Sequence, residues 1–364
     1  MAWSRERENL NASEPVSDLR RSLVRSYATP SNTRGLLQTA VTLLPLGLLW
    51  WAFALAVPEY GWLAAGLVLP MALFHVRIFA LLHDCGHRTL FRSAALNRAF
   101  GFLYGVLSGM PQYVWSKHHE FHHRTNGDWE RYRGPLGTLA IDEYEALSPK
   151  QQRNYRRMRS LAIAPIAGFM YLLFSPRFNW LRGNLALGVH LLSGKSAASF
   201  RTRCWNSWRE YAHMTGNNLV LFACWILMSA AIGAGPFFAA YVATVSIAGG
   251  AGIVLFTVQH NFEHAYASET KDWSLDDAAI EGTSYLVLPR WLDWFTADIG
   301  YHHVHHLSAA IPNYRLRECH RAHADAFAEV RRVRLSEVPA ALQCILWDRQ
   351  ARRIIPFAEY ERRA

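Results

Sequence analysis

Charged side chains are absent from most of two long stretches of the chain. Residues 36–82 carry only Glu59 and Arg77, and residues 218–259 carry none. The first stretch is hinged at Pro58-Glu59-Tyr60-Gly61 and the second at Gly233-Ala234-Gly235-Pro236. This leaves four apolar runs, 36–57, 60–82, 217–234 and 236–259, each near the ~20 residues that cross a bilayer. Paired uncharged runs of this length are hard to house in a soluble core. Two further apolar segments, 99–115 and 161–174, are too short to span comfortably and read as interfacial or re-entrant helices. The pattern predicts an all-α integral membrane protein. Its four transmembrane helices form two hairpins, joined by interfacial helices and a helical cap. An N-terminal segment, 1–35, and a C-terminal tail, 351–364, flank a single domain over 36–350.

Charge adds the orientation. Of 38 Lys and Arg, six lie in residues 1–35, eighteen in 83–217 and thirteen in 260–364, with none in either hinge. Basic flanks and uncharged hairpin tips place both termini and the middle segment on the cytoplasmic side. Much of the formal net charge of +10 is therefore an orientation signal. The run Arg153, Arg156, Arg157, Arg159 suits anionic lipid headgroups. No nucleic-acid motif accompanies the charge. With 13% aromatic and only 18% charged residues, the composition argues against disorder and coiled coil. Five cysteines without a Cys-x-x-Cys argue against a disulfide scaffold, a thiolate zinc site and a redox dithiol. The first 35 residues mix Arg with Glu6, Glu8, Glu14 and Asp18, which is not the pattern of a cleaved targeting peptide.

The chemistry lies in the histidines. Twelve of 17 fall in four clusters: His83/His87 after the second run, His118/His119/His122/His123, His260/His264 after the fourth run, and His302/His303/His305/His306. If the spans continue as helices, His83 and His87 share a face at i, i+4, and so do His260 and His264. His119/His122/His123 and His302/His305/His306 share an i, i+3, i+4 pattern, which puts neighbours side by side on a helix. Each cluster can then aim two or three imidazoles at one point, and all four emerge on the same membrane side. Ten convergent imidazoles exceed the need of one four-coordinate zinc and favour a dinuclear site, although ligand type alone does not choose the metal. His118 and His303 point off the ligand face. Asp84, Glu120, Glu263 and Asp298 sit in or beside the clusters, placed to accept the second N–H of a ligating imidazole.

These clusters resemble the histidine boxes of the membrane fatty acid desaturase superfamily: H-x-x-x-H at His83/His87, H-x-x-H-H at His119/His122/His123, and H-x-x-H-H at His302/His305/His306. The surrounding strings are similar to the bacterial and cyanobacterial acyl-lipid branch with its omega-6 enzymes. They are His-Asp-Cys-Gly-His-Arg at 83–88, Val-Gln-His-Asn-Phe-Glu-His at 258–264, and Ile-Gly-Tyr-His-His-Val-His-His-Leu at 299–307 followed by Ile-Pro-Asn-Tyr-Arg-Leu at 311–316. The resemblance covers about residues 36–350. It implies two iron ions held by the box histidines, with His264 and less directly His260 added. It further implies O2 as co-substrate, a fatty acyl lipid as substrate and an external electron donor such as ferredoxin with its reductase. The expected location is a bacterial inner membrane with the active site cytoplasmic.

Hydroxylases and ketolases of the same superfamily share the boxes and stay open at this point. A His-rich membrane metal transporter is a distant alternative, since it needs ligands near the bilayer midplane and residues 218–259 hold no histidine. Two local features have two readings each. Arg77 near the end of the second run snorkels or meets a lipid headgroup. The small residues Ala248 to Gly252 permit close helix packing or leave room for an acyl chain.

Overall fold

The computed structural model describes residues 16–134 and 136–363. The first fifteen residues of the N-terminal segment, with Glu6, Glu8 and Glu14, lie outside the described residues. Among the described residues, five helices are long and apolar enough to cross a membrane: Asn32–Ala56, Gly61–His87, Leu161–Leu192, Trp208–Ile232 and Ala234–Val258. Four of them coincide with the expected runs, with longer ends. The second continues through His83 and His87 before Arg88 closes it in the left-handed conformation. Trp208–Ile232 begins well before residue 217 because Ser207 caps it, accepting from the Glu210 N–H.

The fifth long helix was expected only as a short apolar segment at 161–174. It runs on to Leu192 through one π-helical stretch, Met170–Phe174, and a restart at Ser175-Pro176. Proline is tolerated there because it occupies the first turn of the restarted segment. Arg177, three residues past the expected segment, folds inward. It donates to the carbonyls of Leu172 and Leu173 at 3.0 and 3.2 Å, to the Gly109 carbonyl, and to Asn218 Oδ1 at 2.9 Å. Its charge is thus absorbed by protein dipoles and does not end the helix. The same helix crosses Ala234–Val258 at glycines. A Cβ on Gly168 would stand 2.2 Å from the Gly250 nitrogen, so the two backbones touch.

The segment expected as interfacial at 99–115 resolves into Ala94–Ser108 and the start of Gln112–Thr125, the helix that carries the second histidine cluster. Gly109 turns the chain between them at φ +78.

The cap is not wholly helical. Cys344–Asp348 pairs antiparallel with Arg353–Pro356 and parallel with Leu139–Ala140, and Tyr285–Val287 pairs parallel with Arg332–Arg334. Each strand is at most five residues long, too short for a periodicity signal to separate from a helix turn. The boundary drawn at residue 350 falls within a β-hairpin. Ile354, Ile355 and Phe357 are buried in the cap, so the expected tail belongs to it.

Arg77 is neither snorkelled nor open to a headgroup. It is 3% exposed, donates to Thr42 Oγ1 at 2.9 Å and to the Trp294 carbonyl, and lies 3.9 Å from the Trp294 ring centre. It pins the short helix Arg290–Phe295 of the cap onto the second membrane helix.

Candidate metal centre

Nine histidines converge in two groups. His83, His87, His119, His123 and His305 form one, and His122, His260, His302 and His306 the other; within each group the available ring nitrogens all lie within 4.8 Å of one another. The helical spacing explains the division. Residues i and i+4 point nearly the same way, while i+3 is rotated toward the other side. So His119 and His123 enter the first group and His122 the second, whereas His302 and His306 enter the second and His305 the first. Neither box is aimed at one point, as the sequence pattern suggested; each is divided between both groups. Stacked rings of His123 and His306, 4.2 Å between centres, join the groups.

The donor chemistry fits bound metal. His123 Nε2 lies 3.0 Å from both His119 Nε2 and His305 Nε2, His302 Nε2 is 2.9 Å from His260 Nε2, and His122 Nε2 is 3.2 Å from His306 Nε2. A neutral imidazole has a single N–H, so nitrogens converging this way cannot all satisfy one another. His83 Nε2 and His87 Nε2 are buried with no hydrogen-bond partner. Burial pushes His119, His122, His123, His302, His305 and His306 well below the ordinary histidine range, with neighbouring imidazoles adding to it, and pushes His260 down to about 3. Neutral rings with inward lone pairs are what a metal requires of histidine.

His264 does not join them. The preceding helix ends at Val258 with Gln259 as its cap, so the i, i+4 face shared with His260 is never formed. The chain turns instead. His264 takes φ +71, its N–H donates to the Ile354 carbonyl at 3.1 Å, and its exposed ring faces Arg353. Gln259 and Asn261 secure this turn: Gln259 donates to the Ile299 carbonyl at 2.8 Å, and Asn261 to Thr138 Oγ1 at 2.9 Å and the Cys344 carbonyl at 3.2 Å.

Of the four carboxylates, Asp84 alone touches a clustered histidine among the described residues, its Oδ1 standing 3.1 Å from His83 Nδ1. Glu120 is exposed beside Arg124, Glu263 is exposed, and Asp298 pairs with Arg317 at 2.6 Å. His118 is exposed. His303 is buried but faces His320, Nε2 to Nδ1 at 2.9 Å, away from both groups.

Aromatic rings that no spacing rule picks out complete the surroundings. Trp115 stacks on His119 at 4.6 Å, and Phe256 and Tyr132 each pack 4.9 Å from His122. From these histidines a cavity of about 340 Å³ descends between Gly61–His87 and Ala234–Val258, reaching His75 and Val245.

Membrane-length helices, two buried imidazole groups compatible with bound metal and an apolar cavity opening onto them describe an integral membrane protein with a site suited to an apolar substrate. The model of the family described as "Fatty acid desaturase" matches residues 60–337. A fatty acid desaturase of Bacillus subtilis (strain 168) is 32% identical over 341 residues, 92% of this chain and 89% of that protein. The sn-1 oleoyl-lipid 12-desaturase of Anabaena variabilis is 22% identical, covering 83% of this chain and 79% of its own. The one from a Synechocystis strain is 25% identical, covering 66% and 63%. The chain belongs to the fatty acid desaturase family. It is an oxidoreductase that desaturates fatty acyl chains, a reading that displaces the hydroxylase, ketolase and transporter alternatives.

Proposed function

We propose that the two histidine groups hold two iron ions, a non-haem di-iron centre that uses O2 to place a cis double bond in the acyl chain of a membrane lipid. The convergence of nine imidazoles into two groups is the observation that carries this. His83, His87, His119, His123 and His305 would hold one ion, and His122, His260, His302 and His306 the other. Iron with O2 supplies the oxidant needed to take hydrogen from an unactivated methylene. The chain's own residues do the rest. Asp84 fixes the tautomer of His83, Trp115, Tyr132 and Phe256 exclude water, and the cavity holds the chain beside the imidazoles.

Desaturation takes two hydrogens from the chain, while O2 ends as two waters. Two electrons and two protons must therefore come from elsewhere, and a ferredoxin with its reductase is the proposed source. Similarity to sn-1 oleoyl-lipid 12-desaturases supports omega-6 chemistry on a lipid-bound chain.

The proposed topology is four spans, both termini and the centre cytoplasmic, in a bacterial inner membrane. His123 and His260 meet in one centre, so an even number of crossings must separate them. Three long helices lie between them. Leu161–Leu192 is the least apolar of the five and carries Arg177 and Arg182, so it is the one proposed to lie within the bundle without crossing. The distribution of Lys and Arg supports the orientation.

The test is fatty-acid profiling with double-bond localisation in a host expressing the chain. New alkenes that vanish with His305→Ala are expected, together with iron in the purified protein. A hydroxylated or ketone product without an alkene would overturn the reading.

A further inference from the structure

Five small residues in a row, Ala248 to Gly252, lie on the Ala234–Val258 helix, and they divide into two roles. Gly249 and Gly250 are packing positions. A Cβ on Gly249 would lie 2.7 Å from Gly168 Cα, and one on Gly250 would lie 2.8 Å from the Pro165 nitrogen. Gly252 is different. A Cβ there would meet nothing within 4 Å, and the residue lines the cavity below the histidines. Helix packing therefore does not require a glycine at 252, although glycine costs a helix about 1 kcal/mol against alanine. The space its side chain would fill is cavity space.

The cavity has a direction. Phe256, packed on His122, marks its metal end, and Gly252 lies one turn deeper, about 6 Å along the axis. The opposite wall is His83, Phe79 and His75, spaced by four along the second membrane helix. Cavity-lining His83 is more than nine-tenths buried and keeps its Nε2 unpartnered. The void thus leads to a point where a ligand is wanted. A lipid headgroup is too polar to lie between membrane helices. The part of an acyl chain that enters this end is the part that finishes in a methyl group.

We propose that Gly252 is a chain-length determinant: its missing side chain leaves the room in which the methyl-side arm of the acyl chain lies beyond the metal centre. A larger residue shortens the arm that fits. The inference rests on the desaturase reading for its consequence in the product, but the binding it describes does not need turnover.

Binding is measured on the purified full chain in detergent, with the fluorescent fatty acid cis-parinaric acid as probe and saturated acids from tetradecanoic to octadecanoic as competitors. Gly252→Ala, Gly252→Leu and Gly252→Phe form a size series. Displacement by octadecanoic acid is expected to weaken progressively, by about tenfold or more at Leu and Phe, while tetradecanoic acid keeps its wild-type affinity. An unaltered Tm shows that the variants fold. An unchanged length profile in Gly252→Phe, or an equal loss for every length, overturns the proposal, as does a wild-type protein that binds no chain. The fatty-acid profile of the expressing host separates the two readings. If wild type makes no alkene, the desaturase reading fails while the binding series still decides Gly252. If wild type desaturates and Gly252→Leu keeps its chain-length profile, the role of Gly252 fails alone.

Discussion

Asp84 Oδ2 accepts the backbone N–H of Asn313 at 2.9 Å, while the other oxygen faces His83 Nδ1. One carboxylate thereby ties the end of the second membrane helix to the first turn of Asn313–Ala322. It also holds the proton of His83 on Nδ1, leaving Nε2 free to face inward. An amide cannot accept from both donors at once. Asp84→Asn is expected to lower metal affinity about 10–100-fold, read as metal per chain by elemental analysis. Full metal content in a folded variant would show that His83 orients itself.

His260 and His264 should behave oppositely on substitution. His260 stands within its group, and His264 faces Arg353. His264→Ala is expected to keep its metal content and product profile. His260→Ala is expected to lose metal, chiefly from the group with His122, His302 and His306. Equal losses in both variants would return His264 to the ligand set.

The metal-free protein should be acid-labile. Seven imidazoles outside the membrane helices, those of His119, His122, His123, His260, His302, His305 and His306, are held below the ordinary 6.5, with burial as the leading cause. The unfolded chain binds protons at these positions before the folded chain does. Their contribution is therefore complete above pH 6.5 and is lost as pH falls below it. A Tm that declines steadily through this range is expected, with metal opposing the decline because it holds the imidazoles neutral. A flat profile would contradict the burial of the groups.

The glycine crossing should tolerate nothing larger. Gly168→Val or Gly249→Val places side-chain atoms where backbone stands 2.2–2.9 Å from the added Cβ. Overpacking of this kind costs about 1–3 kcal/mol or more. A marked fall in Tm and yield is expected, in contrast with Gly252→Ala.

Much of this architecture was legible because it depends on runs and short spacings. The four uncharged runs foretold four of the long helices, and the spacing of the boxes foretold nine of the converging histidines. What stayed hidden depends on the path of the chain in space. Leu161–Leu192 was read only as a short segment ending at Phe174, because Ser175, Pro176 and Arg177 follow, and only the fold shows the carbonyls that receive the guanidinium. His264 was misplaced because the i, i+4 rule presumes a helix that stops at Val258. Division of each box between two groups needs the angle at which two separate helices meet, and no single segment encodes that angle. Asp84 differs from Glu120 and Glu263 only by lying where His83 and Asn313 come together.

The shared use of both boxes has a consequence for biosynthesis. Each histidine group draws on residues 302–306, near the end of the chain, as well as on residues 119–123. Before residues 302–306 emerge neither group is complete, and the second consists only of His122 and His260. The second group therefore comes together only once the last box has emerged and closed over the first.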